Sequence, residues 1–356
     1  MNMSKKVIWG LGLSLLMLAT ACIEQIEFET EEEAAEFLVI NGVITNNPFK
    51  RSLFLFQATG FEAGNLVRSQ AVEGATIGFY EDGELLDTFE ERIDGEYFIP
   101  VDERRSLKVG QSYHVEIELA TGETFRSTPS LLPPKQMPDS MRIVGKTRNI
   151  AQDNGFVVSR RFLDLSIFNT LEPGFRPHFR WEIEQDYSFR EYTDPNNPLA
   201  PNRTCYFNRS TERNPSPILT TNALQNGSVE TFLMASNLGR PFKDVHYFSV
   251  YQHSITQEVF EYYEKVNQLI NGAGGLFDQI PAPVVGNIIN DENSTRSVLG
   301  VVEFSTVDTL RFRISRGQLP FTLFEACESF EDPLPECIEC IILARATYEK
   351  PDFFVN

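Results

Sequence analysis

Apolar and polar residues alternate along most of this chain. Between Phe37 and Thr128, runs such as FLVINGVIT, SLFLFQ, ATIGFY, EYFIP and SYHVEIEL put every second side chain on one face, the two-residue period of a half-buried β-strand. Turn signals EDGE, IDGE, KVGQ and ATGE separate the runs at near-regular intervals, which predicts an all-β sandwich over 37–128. The stretch STPSLLPPKQMP, with prolines at 129, 133, 134 and 138, reads as a stiff linker at 129–138 or as a last edge strand leaving the sandwich. Beyond it GFVVSRRFLDLSIF, HFRWEIEQDYSF, SVETFLMAS, VHYFSVYQHS, RSVLGVVEFS and TLRFRISR predict a second β-rich domain over 139–356. One segment breaks the pattern. In TQEVFEYYEKVNQLINGAGG, residues Val259, Phe260, Tyr263, Val266 and Ile270 recur at helical spacing and glycines follow, so one amphipathic helix is expected near 256–271. The fold class is mainly β: an immunoglobulin-like sandwich, then a second β-rich domain carrying that helix.

The first 36 residues follow a different logic. Lys5 and Lys6 precede an apolar stretch from Val7 to Leu18, and small residues Ala19, Thr20 and Ala21 lead directly to Cys22. Basic, apolar, then small is the order of an export signal. Twelve apolar residues fall short of the ~20 a bilayer-spanning helix needs, so residues 1–21 are expected to be removed. A cysteine just after the cut gives the segment the look of a lipoprotein signal, with Cys22 acylated and acyl chains such as palmitate forming the anchor. The plainer alternative is a secretory peptide whose Cys22 merely starts the mature chain. From Ile23 to Glu36 stand seven glutamates and no base, a composition that stays solvated and serves as a tether over 22–36.

Charge narrows the partners. The chain carries a formal net charge of −19, and loss of Lys5 and Lys6 with the signal lowers it to −21. A phosphate backbone is repelled by such a body, which argues against nucleic acid, and the body as a whole does not favour anionic lipid either.

Two resemblances sharpen the fold. The stretch from Gly74 to Phe125, with its DGEY and VGQSY hairpins, is similar to the small sandwiches of carboxypeptidase-regulatory and transthyretin-like domains. More specifically, LVINGVITNN soon after Cys22, VFEYYEKVNQ leading into GGLFDQIPAPVVGNI, VLGVVEFSTV and the closing CIECIILARATYEKPDFF resemble the Bacteroidota lipoprotein family catalogued as domain of unknown function 4249. That family usually ends in Phe then Trp, where this chain has Phe353 and Phe354. The resemblance implies an outer-membrane lipoprotein, its acidic run serving as a surface-export address, that works beside a TonB-dependent channel. It transfers no catalytic residue.

The chemistry-bearing residues are few. Cys205, Cys327, Cys337 and Cys340 suggest disulfides in an exported chain, with three full pairings open. CIEC at 337–340 lacks the βαβ setting of a thioredoxin-like redox motif, and Cys205 and Cys327 do not form the second close pair that a four-thiolate zinc site wants. Of the four histidines His114, His178, His246 and His253, the last two stand seven apart, on opposite faces of an unbroken strand, so no metal site is expected. Nucleophile elbows, two-histidine zinc helices and glycine-rich phosphate loops are absent from the sequence, and no cofactor is implied. Aromatic residues offer more. In FRWEIEQDYSFREY, Phe179, Trp181 and Ile183 share a parity and read as core, whereas Tyr187, Phe189, Arg190 and Tyr192 read as a freer surface for a glycan or peptide, followed by the loop YTDPNNPLAPN. Ser140 in DSM and Thr309 in DTL fit an O-glycosylation-like tripeptide. Together these features point to a non-catalytic binding or accessory lipoprotein for nutrient capture. A docking component of envelope assembly or secretion is the alternative, and a glycan-acting enzyme built on paired carboxylates comes third.

Overall fold

The alternation that begins at Phe37 becomes an antiparallel hairpin in the computed structural model. Strand β1 (Phe37–Thr45) pairs with β2 (Arg51–Ala58) from Phe37↔Ala58 to Ile44↔Arg51. The structure describes residues 37–58, 69–93, 95–100, 106–152, 154–171, 177–194, 196–210, 218–220, 227–237, 240–272, 284–291, 296–319 and 335–354. Residues 1–36, where the export signal, Cys22 and the acidic tether were expected, lie outside the described residues, as does Cys327.

Short strands follow the hairpin: β3 (Ser69–Ala71), β4 (Thr76–Glu81), β5 (Glu84–Thr88), β6 (Glu90–Glu91), β7 (Glu96–Phe98), β8 (Ser112–Glu118), β9 (Thr124–Ser127) and β10 (Ser130–Leu131). Longer ones come next: β11 (Ser140–Ala151), β12 (Val157–Leu171), β13 (His178–Arg190), β14 (Thr204–Ser210), β15 (Ile218–Thr220), β16 (Gly227–Asn237) and β17 (Val245–Ile255). Helix α1 (Gln257–Gly272) precedes β18 (Ile288–Asn290), β19 (Val298–Leu299) and β20 (Val302–Ser315), and α2 (Pro335–Ile338) and β21 (Ala346–Thr347) close the chain. They form three sheets. The largest runs β21-β14-β13-β17-β20-β1-β2-β7-β6, the second β18-β9-β8-β4-β5, and the third β11-β12-β16.

The two largest cores form because each sheet buries the apolar side of its alternation against another. In the first, Leu38, Ile40, Leu53 and Leu55 of the β1–β2 hairpin meet Ile77, Phe79, Val115 and Phe125 of the second sheet. Leu163, Leu165 and Ile167 of β12 likewise pack against Phe179, Trp181, Phe248 and Val250 in the second core. The molecule is thus mainly β, with a sandwich toward its amino-terminal half and a single long helix among the described residues.

The domain boundary expected at 129–138 is crossed by strand pairing. Gly42, Val43, Ile44 and Thr45 of β1 pair in parallel with Val302, Glu303, Phe304 and Ser305 of β20, and Ile288 pairs with Ser127. The first sandwich therefore borrows strands from the last third of the chain, and residues 36–356 form one compact unit. Ser130 and Leu131 pair with Tyr113 and Ser112, so this part of the proline-rich stretch is an edge strand rather than a linker. A close approach helps to set the crossing. Gly300, at φ +106°, lies between the β19 and β20 pairings to β1, where a Cβ would stand 2.1 Å from the carbonyl oxygen of Ile40; only glycine combines that angle with that contact.

Helix α1 covers the outer face of the large sheet. Val259 and Phe260 are buried with Ile255 and Val301, as the helical spacing requires. Ile270, expected on the same face, is 42% exposed, because the apolar contact is confined to the first turns.

Candidate functional site

On β13, Arg180, Glu182 and Glu184 share the parity opposite to Phe179, Trp181 and Ile183, so alternation sends the charged set away from the second core. In an ordinary half-exposed strand that face is solvated. Here α1 and the β1–β2 hairpin close over it. Arg180 is 5% exposed and Glu303 of β20 is wholly buried, and the pair is joined at two points, Arg180 Nε donating to Glu303 Oε2 at 2.8 Å and Nη2 to Oε1 at 3.0 Å. The third guanidinium nitrogen donates to Glu182 Oε1 at 2.7 Å. Ser305 Oγ donates to Glu303 at 2.6 Å, and His253 Nδ1 lies 3.1 Å from Ser305 Oγ and 3.2 Å from Glu303. His253 Nε2 approaches Glu182 at 3.5 Å without a hydrogen bond.

Lys50 completes the network from the hairpin turn. Asn47 shapes that turn, its side-chain oxygen accepting from the Phe49 N–H at 3.0 Å while the Lys50 N–H bonds back to the Asn47 carbonyl, a role for which Asn is suited. The ammonium donates to Glu182 Oε2 at 2.5 Å and stands 3.7 Å from the centroid of Tyr251, a cation–π distance. Tyr251 in turn donates to Glu184 Oε2 at 2.6 Å.

Above this floor opens a cleft of about 630 Å³. Its walls are β1–β2, β13 and α1: Phe49, Lys50 and Phe54 on one side, Glu182 and Glu184 below, Tyr262 and Tyr263 opposite. Phe49 is 75% exposed at the mouth, and Phe54 is 38% exposed, stacked at 6.4 Å on Phe56. Apolar rings around a few convergent polar groups are what small-molecule and peptide sites use.

Electrostatics fix the protonation of the floor. Burial alone would push Glu182 and Glu303 up, but Arg180, with His253 and, for Glu182, Lys50, overrides it and holds both carboxyls well below the usual carboxylate range. Arg180 is driven the same way from the other side: its burial disfavours the cation, and Glu303 outweighs it and raises the guanidinium well above its ordinary value. Burial, reinforced by Glu303, pushes the Tyr263 hydroxyl far up. Residues 23–311 match the family described as Domain of unknown function (DUF4249). The chain belongs to this family. No curated protein matches the chain.

The family match takes in every wall of the cleft and leaves the closing CIEC segment outside it. That segment builds a different structure. Cys205 and Cys340 form a disulfide, with Cα atoms 6.0 Å apart, and Cys337 is disulfide-bonded as well. Glu191, Cys205 and Cys340 make the one close grouping of metal-capable side chains among the described residues, but its two sulfurs are bonded to each other, and Glu191 accepts from the Cys340 N–H at 3.1 Å and from Arg203. This cluster also corrects the surface expected at 187–192. Tyr187 and Phe189 are 3% and 0% exposed, packed with Cys205, Phe207 and Cys337, and Tyr187 stacks on Phe207 at 4.6 Å. The last turns of β13 are covered on both faces, so alternation stops marking an outside there. Arg190 is exposed, and Tyr192 is half-buried with Lys243 3.4 Å from its ring centroid.

The histidines divide as their spacing requires. His246 sits among Phe242, Tyr187 and Phe248, its Nδ1 3.0 Å from the Pro241 carbonyl, whereas His253 faces the ion network. His114 stacks on Tyr80, and the His178 ring lies 4.8 Å from that of Phe260, tilted by 39°. Ser140 and Thr309 are both exposed.

The network makes stability depend on pH. For Glu182 and Glu303 the native values lie below the unfolded value of ~4.3, so their contribution is complete above that pH and is lost as pH falls toward the native values. His178, lowered chiefly by burial, acts in the same direction below its unfolded value of ~6.5; Asp186, raised chiefly by burial, acts in the opposite one. Unfolding free energy should therefore fall below about pH 4, with a slope of ~1.4 kcal/mol per pH unit from Glu303. Urea titrations at stepped pH check this: Glu303→Gln should lose that part of the slope, and an unchanged slope would show that Glu303 is not the linked group.

Proposed function

We propose that this chain is an exported lipoprotein, anchored through Cys22 in the outer membrane, that binds a glycan or peptide ligand in the cleft without transforming it and passes it to a TonB-dependent channel at the cell exterior. The observation that carries the binding reading is the cleft itself, with Phe49 and Phe54 exposed at its mouth over a floor of paired charges. Exposed rings beside fixed polar groups suit a ligand with alternating apolar and hydroxyl or amide surface. Two features support capture over chemistry. Glu182 and Glu303 are held ionised far from neutral pH by Arg180, while a general acid or base works best near the operating pH. Glu182 is also engaged in ion pairs with Lys50 and Arg180, and Glu184 accepts from the Tyr251 hydroxyl. The anchor rests on the order of residues 5–22, and the channel partnership and outward orientation rest on the family resemblance and the acidic run.

The test is affinity purification from detergent-solubilised outer membranes. Wild type should incorporate labelled palmitate and retain a channel protein. Cys22→Ser should lose the label, and Phe49→Ala with Phe54→Ala should keep the label while losing at least half of the retained partner or ligand, since interface aromatics of this kind contribute roughly 2 kcal/mol or more. Equal labelling of Cys22→Ser would sink the anchor. Equal retention by the double variant would sink the cleft.

A further inference from the structure

Among the described residues two cations and three carboxylates line the cleft, and they do not cancel in place. Lys50 is engaged with Glu182 and with the ring of Tyr251. Arg51 is 2% exposed, and its Nε donates to the Thr45 carbonyl at 3.0 Å. Glu182 is bonded at both oxygens, by Arg180 and by Lys50. Half-buried Glu184 has no such partner: its Oε2 accepts from the Tyr251 hydroxyl, and among the described residues no cation stands within ion-pair distance of it. Arg311 lies on the same cross-strand row, beyond Ser249, but its Nε donates to Ser249 Oγ at 2.9 Å and its guanidinium lies 3.8 Å from the centroid of Phe353.

On the hairpin side, Glu96 of β7 stands directly opposite Phe54 of β2, so carboxylate and ring share a face. Its cation, Arg92, is 3.9 Å away and 62% exposed, a contact that holds little against water. Much of the remaining lining is apolar or aromatic: Val43, Val266, Val301 and Tyr262. A carboxylate without a counter-ion, set among rings and aliphatic side chains, suits an alkyl chain that ends in a cation. The stem covers apolar surface while the charge meets the carboxylate and the ring quadrupoles. An amino sugar carries a cation as well, but surrounds it with hydroxyls for which the valines offer no partner. At longer range the net charge of −19 acts in the same sense, raising the local concentration of cations.

We propose, resting on the binding reading of the cleft, that its ligand is a basic peptide, with the stem of a lysine side chain against the apolar lining and its ammonium on Glu184. Glu182 does not serve this purpose, because Arg180 and Lys50 already occupy it. The selection is then electrostatic at one carboxylate and apolar around it, so a neutral peptide of the same shape is bound less well.

Calorimetric titration of the full chain, purified in detergent, tests it with a terminally blocked lysine tripeptide, the same peptide acetylated on every side chain, and the glucosamine trimer. The lysine peptide should bind about ten-fold or more tightly than its acetylated form, as expected for a charge-assisted hydrogen bond, and its affinity should fall as salt is raised. Glu184→Gln, nearly isosteric and still able to accept from Tyr251, should weaken binding of the lysine peptide about ten-fold with near-ultraviolet circular dichroism unchanged. The comparison of the two peptides on wild type is independent of how that variant folds. No binding of the lysine peptide overturns the proposal, as do equal affinities for the two peptides or undiminished binding by Glu184→Gln. Tighter binding of the glucosamine trimer overturns it in favour of an amino-sugar glycan. Each of these failures leaves the cleft itself as a binding site wherever Phe49→Ala with Phe54→Ala still loses the retained partner or ligand; equal retention by that double variant is the separate result that removes the cleft.

Discussion

Replacing Arg180 with methionine should lower the unfolding free energy by about 3–5 kcal/mol. Among the described residues the guanidinium is the one cation hydrogen-bonded to Glu303, which is wholly buried. Without it Glu303 keeps the Ser305 hydroxyl and the nearby His253, too little to offset the desolvation of a charge. Glu182 suffers less, because Lys50 still reaches it. Urea unfolding measures the loss, with far-ultraviolet circular dichroism as a check that the variant is folded at the start. Pairing the change with Glu303→Gln should restore part of the loss, since removing both charges leaves neither uncompensated. A single variant within about 1 kcal/mol of wild type, or a double variant weaker than the sum of the singles, would show that the network does not carry this stability.

The second large effect belongs to the Cys205–Cys340 bridge. It closes a span of 135 residues, and the chain-entropy account gives a loop of that size about 4–5 kcal/mol, with measured values usually lower. Cys205→Ala with Cys340→Ala should therefore cost about 2–5 kcal/mol and loosen the packing of Tyr187, Phe189 and Phe207 around it. Differential scanning calorimetry of the double variant against wild type, both without reductant, gives the value. A midpoint unchanged within error would mean that the buried cluster holds the segment without the covalent link.

Much of this architecture was readable from alternation, and particular residues show where that stopped. The apolar parity of Phe179, Trp181 and Ile183 correctly placed their side of β13 in a core, and the spacing of Val259, Phe260 and Tyr263 located α1. Arg180, Glu182 and Glu184 were equally regular, but a two-residue period says which side a residue faces and nothing about what covers that side. A polar face under a helix and a polar face in water look alike. Glu303 and Ser305 in VVEFST carry the same signal, and only the pairing of β20 with β17 and β1 brings them to Arg180. Tyr187 and Phe189 failed for the converse reason: once α2, β14 and the closing segment cover the end of β13, residues of both parities are buried. The choice of Cys340 as the partner of Cys205 depends on how β13, β14 and the 335–354 segment meet, which the intervals between cysteines do not encode.

The parallel pairing of β1 with β20 has a consequence for how the protein is made. Asn41 and Val301, hydrogen-bonded across that seam, are separated by 260 residues. A chain delivered from its amino terminus, by the ribosome or through a translocation pore, presents the edge of β1 long before its partner has emerged. Contacts this distant in sequence raise the loop-closure cost of the folding nucleus and slow the reaction, while an unpaired strand edge invites association with other chains. The first sandwich thus cannot finish as a nascent domain. Truncation anywhere before residue 302 should leave it without its seam, and that edge has to be kept apart from other strands until the last third of the chain has arrived.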